Sequence, residues 1–164
     1  MRNGFLLAIG IVALMAGGLW FAAWDFCRIK DWGVNETSVE IDWIPPEATE
    51  VTFVSGNIEK RAEFSIDQQI FEEWCASIGK PLTVVSKGSE SGGFSEAMLF
   101  RSNPLLALKG ITEKPNDDDA AFAWEYKSFD KGDLFFEERW PNAGGYAIGY
   151  DVSEGRGYYE YAHH

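Results

Sequence analysis

An uninterrupted apolar run near the N-terminus constrains this chain more than any other feature of its sequence. Residues 5–24 (FLLAIGIVALMAGGLWFAAW) contain no charge and no strongly polar side chain. A helix of about twenty residues is about 30 Å long, which matches the hydrocarbon core of a bilayer. Trp20 and Trp24 lie at the far end of the run, where amphipathic rings prefer the membrane interface. The sequence therefore predicts a transmembrane anchor over residues 1–24, inserted through residues 5–24.

A cleavable signal peptide is the alternative interpretation of the same run. Its apolar region would be residues 5–15, with cleavage after Ala16 or Ala23. The position three residues from the cut would then hold Leu14 or Phe21, and neither is the small residue that cleavage requires. We therefore favour an uncleaved anchor.

The orientation of this anchor depends on a nearly balanced charge count. Arg2 precedes the run, while Arg28 and Lys30 follow it beside acidic residues, so the positive-inside rule gives little guidance. A short tail before the span and a long domain after it are typical of a single-pass signal-anchor. This pattern predicts a domain on the extracytoplasmic side of the cell membrane. Small residues four apart also allow weak self-association of two spans: Ala13 with Gly17, and Gly18 with Ala22.

The remainder of the chain is acidic and rich in aromatic residues. All 26 acidic residues follow Trp24, together with 13 of the 14 basic ones. Such a surface repels phosphate backbones, so we do not expect nucleic acid as a partner. The 7 Trp and 12 Phe residues predict a packed core. The length of 164 residues leaves room for one domain, which we place at residues 38–164 after a polar connector at residues 25–37.

The first half of this domain contains strand patterns and one clear helix pattern. Residues 39–43 alternate apolar and acidic side chains, which predicts a strand that Pro45-Pro46 ends. Further strands are predicted at residues 50–55, 58–66 and 82–85. A helix is predicted between the last two, with Ser65 or Asp67 as its N-cap. Its apolar face would consist of Ile70, Phe71, Trp74 and Ile78.

The second half has the pattern of a β-meander. Strands are predicted at residues 122–126, 134–140, 146–152 and 158–161, with a hairpin turn at residues 130–133 and further turns between the later strands. A helix over residues 120–129 stays open as an alternative, because Phe122, Tyr126 and Phe129 also fit helical spacing. Together the two halves predict an α+β fold, in which one main helix packs on an antiparallel sheet.

Three short motifs resemble a group of uncharacterised small bacterial proteins. They are residues 43–48 (WIPPEA), the Phe64-Ser65-Ile66 lead into the helix, and the Gly- and Tyr-rich end at residues 144–159. Proteins of that group have one N-terminal membrane span and a similar C-terminal hairpin. The resemblance covers about residues 40–164 and implies a bacterial, membrane-anchored protein. It implies no activity and no functional residue.

The usual catalytic and metal-binding groups are nearly missing from the sequence. His163 and His164 are the only histidines; they stand at the C-terminus, where chains commonly fray, and could be the remnant of an affinity tag. We therefore predict no catalytic residue, no metal site and no cofactor. The acidic run at residues 116–119 lacks the spacing of a calcium loop. Glu137 and Glu138 adjoin on a predicted strand, so they should face opposite sides.

The two cysteines allow one disulfide bond. Cys27 follows the apolar run, and Cys75 lies in the predicted helix. In an oxidising compartment a bridge between them would close a long loop and stabilise the domain by about 2 to 4 kcal/mol. The alternative is that Cys75 is an ordinary small apolar residue of the core.

Aromatic residues near the C-terminus are the best candidates for partner binding. Their side chains alternate in direction along two strands, so one set serves the core while the other could face a partner. Core packing of all of them is the alternative. The candidates are Trp140, Tyr146, Tyr150, Tyr158 and Tyr159.

These patterns favour a membrane-anchored, non-enzymatic interaction or structural domain with a protein partner. Two alternatives stay open. One is a hydrolase of an envelope polymer that uses carboxylates the sequence does not single out. The other is a cytoplasm-facing acidic inhibitor of the immunity-protein type, which would require the opposite orientation of the span.

Overall fold

A computed structural model describes residues 14–22, 26, 29–88, 97–99, 127–142 and 144–163. Residues 14–22 are helical, and the domain helix spans Gln68–Ser77. The strands are β1 (Ile29–Glu36), β2 (Thr49–Gly56), β3 (Glu59–Ser65), β4 (Thr83–Val84), β5 (Met98–Leu99), β6 (Lys127–Ser128), β7 (Leu134–Arg139), β8 (Gly145–Asp151) and β9 (Arg156–Ala162).

Two antiparallel meanders share one seven-stranded sheet, in the order β1-β2-β3-β9-β8-β7-β4. The first meander is β1-β2-β3 and the second is β7-β8-β9. They join where β3 pairs with β9 over its whole length, from Glu59 opposite Ala162 to Ser65 opposite Arg156. Strands β5 and β6 pair separately. The α+β fold with an antiparallel sheet, predicted from the sequence, is confirmed.

The domain helix begins where the sequence predicts. Asp67 is its N-cap, and the carboxylate of Asp67 accepts hydrogen bonds from the backbone N–H groups of Gln69 and Ile70. The buried face differs from the prediction, because Phe71 and Cys75 are fully buried while Ile70 and Ile78 are exposed. A short helix lying on a sheet buries a narrow stripe, and Phe71 and Cys75 lie four residues apart at its centre.

The face of the sheet that carries the helix holds a ring-rich core. Phe71 packs edge-on against Phe64, with 5.8 Å between ring centroids, and lies 5.5 Å from the ring of Tyr150. Trp43 packs 5.2 Å from Tyr159 in the same cluster. A smaller apolar cluster lies on the other face, with members Val85, Ala97, Leu99, Phe129, Phe135, Ala147 and Tyr158.

Two predictions for the first half need correction. The predicted connector, residues 25–37, contains β1, which pairs with β2 as the edge strand of the sheet. The pairing of β1 contains register shifts, and Gly33 within it packs against the Phe53 ring. Apolar and polar residues therefore do not alternate regularly along β1, and the sequence shows no strand pattern there. Residues 39–43 do not form a strand. Their apolar side chains instead pack against the helix-side core.

Two further predictions concern the middle of the chain. The strand predicted as buried at residues 82–85 is the short edge strand β4, in which Thr83 and Val84 are exposed. The turn at residues 130–133 exists, but it connects β6 and β7, which belong to different sheets, and so it forms no hairpin. The strand at 122–126, its helical alternative and the acidic run at 116–119 lie outside the described residues.

One finding bears on the predicted transmembrane anchor at residues 1–24. Within the part of the chain that the structure describes, no helix is long and apolar enough to cross a membrane.

Candidate partner-binding surface

The five aromatic residues singled out from the sequence fall into two groups. Tyr150, Tyr158 and Tyr159 are buried, whereas Trp140 and Tyr146 are half-buried. Only Trp140 and Tyr146 therefore have ring surface to offer to a partner in this conformation.

Tyr150 and Tyr159 belong to the helix-side core. The Tyr150 hydroxyl donates a buried hydrogen bond of 3.0 Å to the carbonyl oxygen of Ile66, which ties β8 to the chain segment before the helix. Tyr159 lies between the rings of Trp43 and Trp74. Burial raises the pKa of both phenols, so they stay protonated.

Tyr158 lies on the opposite face, in a polar cluster. Its ring meets Phe129 edge-on at 5.7 Å, and its hydroxyl donates to the carboxylate of Glu154 at 3.1 Å. Desolvation, together with the Glu154 charge, raises the Tyr158 pKa to about 12. This residue packs within the fold and leaves little surface for a partner.

Lys127 and Asp151 form the ion pair of that polar cluster, which we call the Lys127 lock (Lys127, Asp151, Glu154, Tyr158). The Lys127 Nζ lies 2.6 Å from the Asp151 carboxylate and 3.6 Å from Glu154. The same Asp151 carboxylate accepts from the Ser153 hydroxyl and the Glu154 backbone N–H, which shapes the turn between β8 and β9.

The pKa values of this pair follow from its hydrogen bonds. Burial alone would lower the pKa of Lys127, but the bond to Asp151 and the nearby negative charges outweigh it and raise the value to about 12. Burial likewise favours neutral Asp151, but hydrogen bonds and the Lys127 charge outweigh it and hold the pKa of that carboxyl below its usual range. Both groups are therefore charged at neutral pH.

An aromatic rim remains half-exposed at the other end of the second meander, where β7 and β9 end and β8 begins. We define the aromatic rim as Trp140, Tyr146 and Tyr161. The Trp140 ring meets Tyr146 edge-on at 5.5 Å and Tyr161 at 5.9 Å, and Tyr146 lies 5.1 Å from Tyr161. Tyr161 was not among the five candidates named from the sequence, although its position two residues after Tyr159 places it on the same face.

His163 borders the rim and is held in place. Its backbone N–H donates to the carbonyl oxygen of Ile58 at 2.8 Å, and its ring lies 5.8 Å from that of Trp140. The prediction that the chain end frays is therefore wrong for this residue. His164 lies outside the described residues.

Beside the rim, a lysine lies in a cage of rings and a carboxylate, which we call the Lys80 cage (Phe136, Glu138, Tyr146). The Lys80 Nζ lies 3.7 Å from the centroid of the Tyr146 ring and 5.1 Å from that of Phe136. It also donates to Glu138 at 3.1 Å. The other carboxylate oxygen of Glu138 accepts from the Trp140 indole N–H at 3.1 Å, so the cage and the rim are one continuous surface.

The register of the sheet explains why Lys80 reaches this position. Thr83 lies opposite Phe135 in the pairing of β4 with β7, and extending that register backwards places Lys80 opposite Glu138. Pro81 has no N–H to continue the ladder, which is why β4 is short. Hydrogen bonds from Trp140 and Lys80, and the charge of Lys80, lower the pKa of Glu138. A sequence separation of 58 residues hid this pair from sequence analysis.

Two further observations concern the acidic side chains considered in the sequence analysis. Glu137 lies opposite Ala147 and Glu138 opposite Tyr146, on opposite faces of β7, as predicted, so they cannot act on one bond. No group of three or more potential metal ligands occurs among the residues that the structure describes.

The predicted disulfide stays a prediction. Cys75 is a buried free thiol in this structure, and desolvation, with a contribution from Glu72, raises its pKa to about 12. A thiol with that pKa is a poor nucleophile at neutral pH. Cys27 lies outside the described residues.

Comparison with protein-family models, with curated protein sequences and with solved structures finds no match to this chain. The resemblance drawn from the sequence motifs therefore stays a prediction.

Proposed function

We propose that this protein is a membrane-anchored interaction domain, exposed on the extracytoplasmic side, that binds a protein partner through its aromatic rim. The observation that carries the proposal is the continuity of three half-exposed rings, Trp140, Tyr146 and Tyr161, at one end of the sheet. Trp and Tyr dominate the binding energy of protein interfaces, because each buries a large area and keeps a polar group at its edge.

The state of these rings supports binding more than core packing. A ring that serves only the core is covered completely, as Phe64 and Phe71 are. The rim residues instead keep part of their surface accessible while their neighbours hold them in position. Such preorganised anchors lose little side-chain entropy when a partner binds.

Membrane attachment is proposed from the N-terminal run. The described part of that run, residues 14–22, is helical, and its large apolar side chains are exposed: Leu14, Met15, Leu19, Trp20 and Phe21. Exposed apolar side chains on all sides of a helix suit a lipid environment. The acidic domain after the run argues against contact between the domain and an anionic lipid surface.

Affinity capture tests the binding surface. Full-length protein would be purified from mildly solubilised native membranes, and co-purified proteins would be quantified for wild type, for Trp140→Ala and for Val152→Ala. Val152 is an exposed apolar residue at the opposite end of β8, so its variant is a matched control. We expect the partner to be captured at least about tenfold less by Trp140→Ala and undiminished by Val152→Ala. Equal capture by both variants would refute the role of the rim.

A reporter fused after His164 tests the orientation. We expect activity from a reporter that works only outside the cytoplasm. Activity only from a cytoplasmic reporter would refute the extracytoplasmic assignment and would favour the inhibitor-type alternative.

A further inference from the structure

We infer that the partner presents a basic segment to the aromatic rim, and that a guanidinium or ammonium group of this segment replaces Lys80 in the Lys80 cage. The inference rests on the proposed function and specifies the chemistry of its partner.

The structure itself shows which chemistry these rings accept. The Lys80 ammonium lies over the face of Tyr146, with Glu138 as its counter-ion. A second ammonium, that of Lys60, lies 5.6 Å from the Trp43 ring in the adjoining part of the same aromatic cluster. An aromatic face with a carboxylate beside it attracts cations through the ring quadrupole and through charge.

Lys80 occupies this cage without being locked in it. The Lys80 side chain is mostly covered, with 15% accessible, but its carboxylate partner Glu138 is half-exposed, with 49% accessible, and ion pairs that reach solvent on one side contribute little to stability. An arginine would fit the cage better than lysine does. Its planar guanidinium can stack on Tyr146 while it forms hydrogen bonds to Glu138.

The charge of the chain favours a basic partner over a neutral one. The chain holds 26 acidic and 14 basic residues, so a basic segment is attracted over a long range. A neutral sugar ring could stack on Tyr146 only by displacing the Lys80 ammonium, and it would leave the Glu138 carboxylate without the counter-ion that a basic group supplies. The cage therefore suits a cation that exchanges with Lys80.

A peptide titration tests the inference with the full-length chain. The protein would be held in a non-ionic maltoside detergent, because zwitterionic detergents carry ammonium groups of their own. The probe is an acetylated, amidated hexapeptide of alternating glycine and arginine with a neutral dye, and its Kd is measured by fluorescence anisotropy. The same peptide with citrulline in place of arginine removes the charge and keeps the shape.

Variants that remove the same charge at different positions distinguish binding in the Lys80 cage from general electrostatic attraction. We expect Glu138→Gln to weaken binding of the arginine peptide about fivefold, and Glu137→Gln, on the other face of the same strand, to change it less than about twofold. We expect Lys80→Met and Lys80→Gln to tighten binding about fivefold relative to Lys131→Met, which removes an equal charge in the turn before β7, at the end of the strand far from Glu138. The citrulline peptide should bind at least about tenfold more weakly.

The inference would be overturned if Glu138→Gln and Glu137→Gln changed the Kd equally, or if the Lys80 variants and Lys131→Met did. It would also be overturned if the citrulline peptide bound with the same Kd as the arginine peptide, or if the arginine peptide showed no saturable binding. Circular dichroism confirms that each variant is folded. This failure differs from failure of the proposed function. If capture of a partner depended on Trp140 but the arginine and citrulline peptides bound equally, the rim would remain an interface and only the basic character of the partner would be refuted.

Discussion

Lys80 and Lys127 lie on opposite faces of the second meander, and they have similar neighbours but different roles. Lys80 and Lys127 each lie near a carboxylate, a Tyr ring and a Phe ring. The carboxylate of Asp151, which pairs with Lys127, is 10% exposed, whereas that of Glu138, which pairs with Lys80, is 49% exposed. The lysine side chains are covered to a similar extent, 15% accessible for Lys80 and 21% for Lys127, so the exposure of the carboxylate is what distinguishes the two sites.

The two sites also differ in what else depends on the carboxylate. Asp151 accepts from the Lys127 ammonium, the Ser153 hydroxyl and a backbone N–H in the β8–β9 turn. Glu138 accepts from two side chains, those of Lys80 and Trp140, and shapes no turn. The Lys127 lock is therefore structural, and the Lys80 cage lies beside the surface that we propose for binding.

Among the substitutions that test this comparison, Asp151→Ala should lower the stability of the fold most. Removal of the carboxylate leaves the partly buried Lys127 ammonium with only the more distant and exposed carboxylate of Glu154, 3.6 Å away, and it removes the hydrogen bonds that shape the turn, so we expect the free energy of unfolding to fall by about 3 kcal/mol. Denaturant unfolding measures the change. Glu137→Ala, at an exposed position of β7, is the control and should change it by less than about 0.5 kcal/mol. Equal values for the two variants would remove the distinction between the sites.

Gly149→Ala should have the next largest effect. A Cβ at this position would lie 2.1 Å from the Phe129 ring, and Phe129 forms part of the packing under Lys127. We expect a loss of about 2 kcal/mol from overpacking, measured in the same way. Phe129→Leu introduced together with Gly149→Ala should recover part of it, and no recovery would show that the loss has another cause.

Acid pH should weaken the Lys127 lock. The folded-state pKa of Asp151 is depressed, so its contribution is present above the unfolded pKa of about 3.9 and is lost as pH falls through the lower folded value. We therefore expect the free energy of unfolding to fall as Asp151 is protonated. The folded-state pKa of Lys127 is raised, so its contribution is lost only as pH rises toward about 12. The free energy of unfolding of wild type and of Asp151→Asn, measured between pH 2 and 6, tests the contribution of Asp151. Equal pH dependence of the two proteins would contradict it.

Lys80→Met should have the smallest effect on stability. Its pair with Glu138 is exposed on the carboxylate side, and the methionine side chain still covers the Tyr146 ring, so we expect a change of less than about 0.5 kcal/mol. Thermal unfolding of the variant checks this. A loss as large as that of Asp151→Ala would show that Lys80 is also a structural lock.

The sequence predicted the parts of this fold that have a clear period. Strands β2, β3 and β7 to β9 and the domain helix follow from alternation, helical spacing and turn residues. Strand β1 was missed because bulges break its period, and residues 39–43 were assigned to a strand because alternation also occurs in an extended segment that packs without pairing.

The candidate site could be predicted only in part. Trp140 and Tyr146 were found among the aromatic residues near the C-terminus, whose side chains alternate in direction along the predicted strands. The partition of five aromatic residues into buried and half-exposed ones depends on where the helix lies on the sheet, which the sequence does not specify. Lys80 was missed because it meets Glu138 only through the pairing of β4 with β7, and nothing local to residue 80 indicates a cation site.

Site-specific photo-crosslinking in native membranes tests the central claim most directly. A photoreactive phenylalanine analogue would replace Tyr161 in the aromatic rim or Val152 at the opposite end of the second meander, in the full-length chain. The account predicts a discrete adduct with one partner protein from position 161 and none from position 152. An adduct only from position 152, equal adducts from both positions, or no adduct from position 161 would contradict the assignment of the rim as the binding surface.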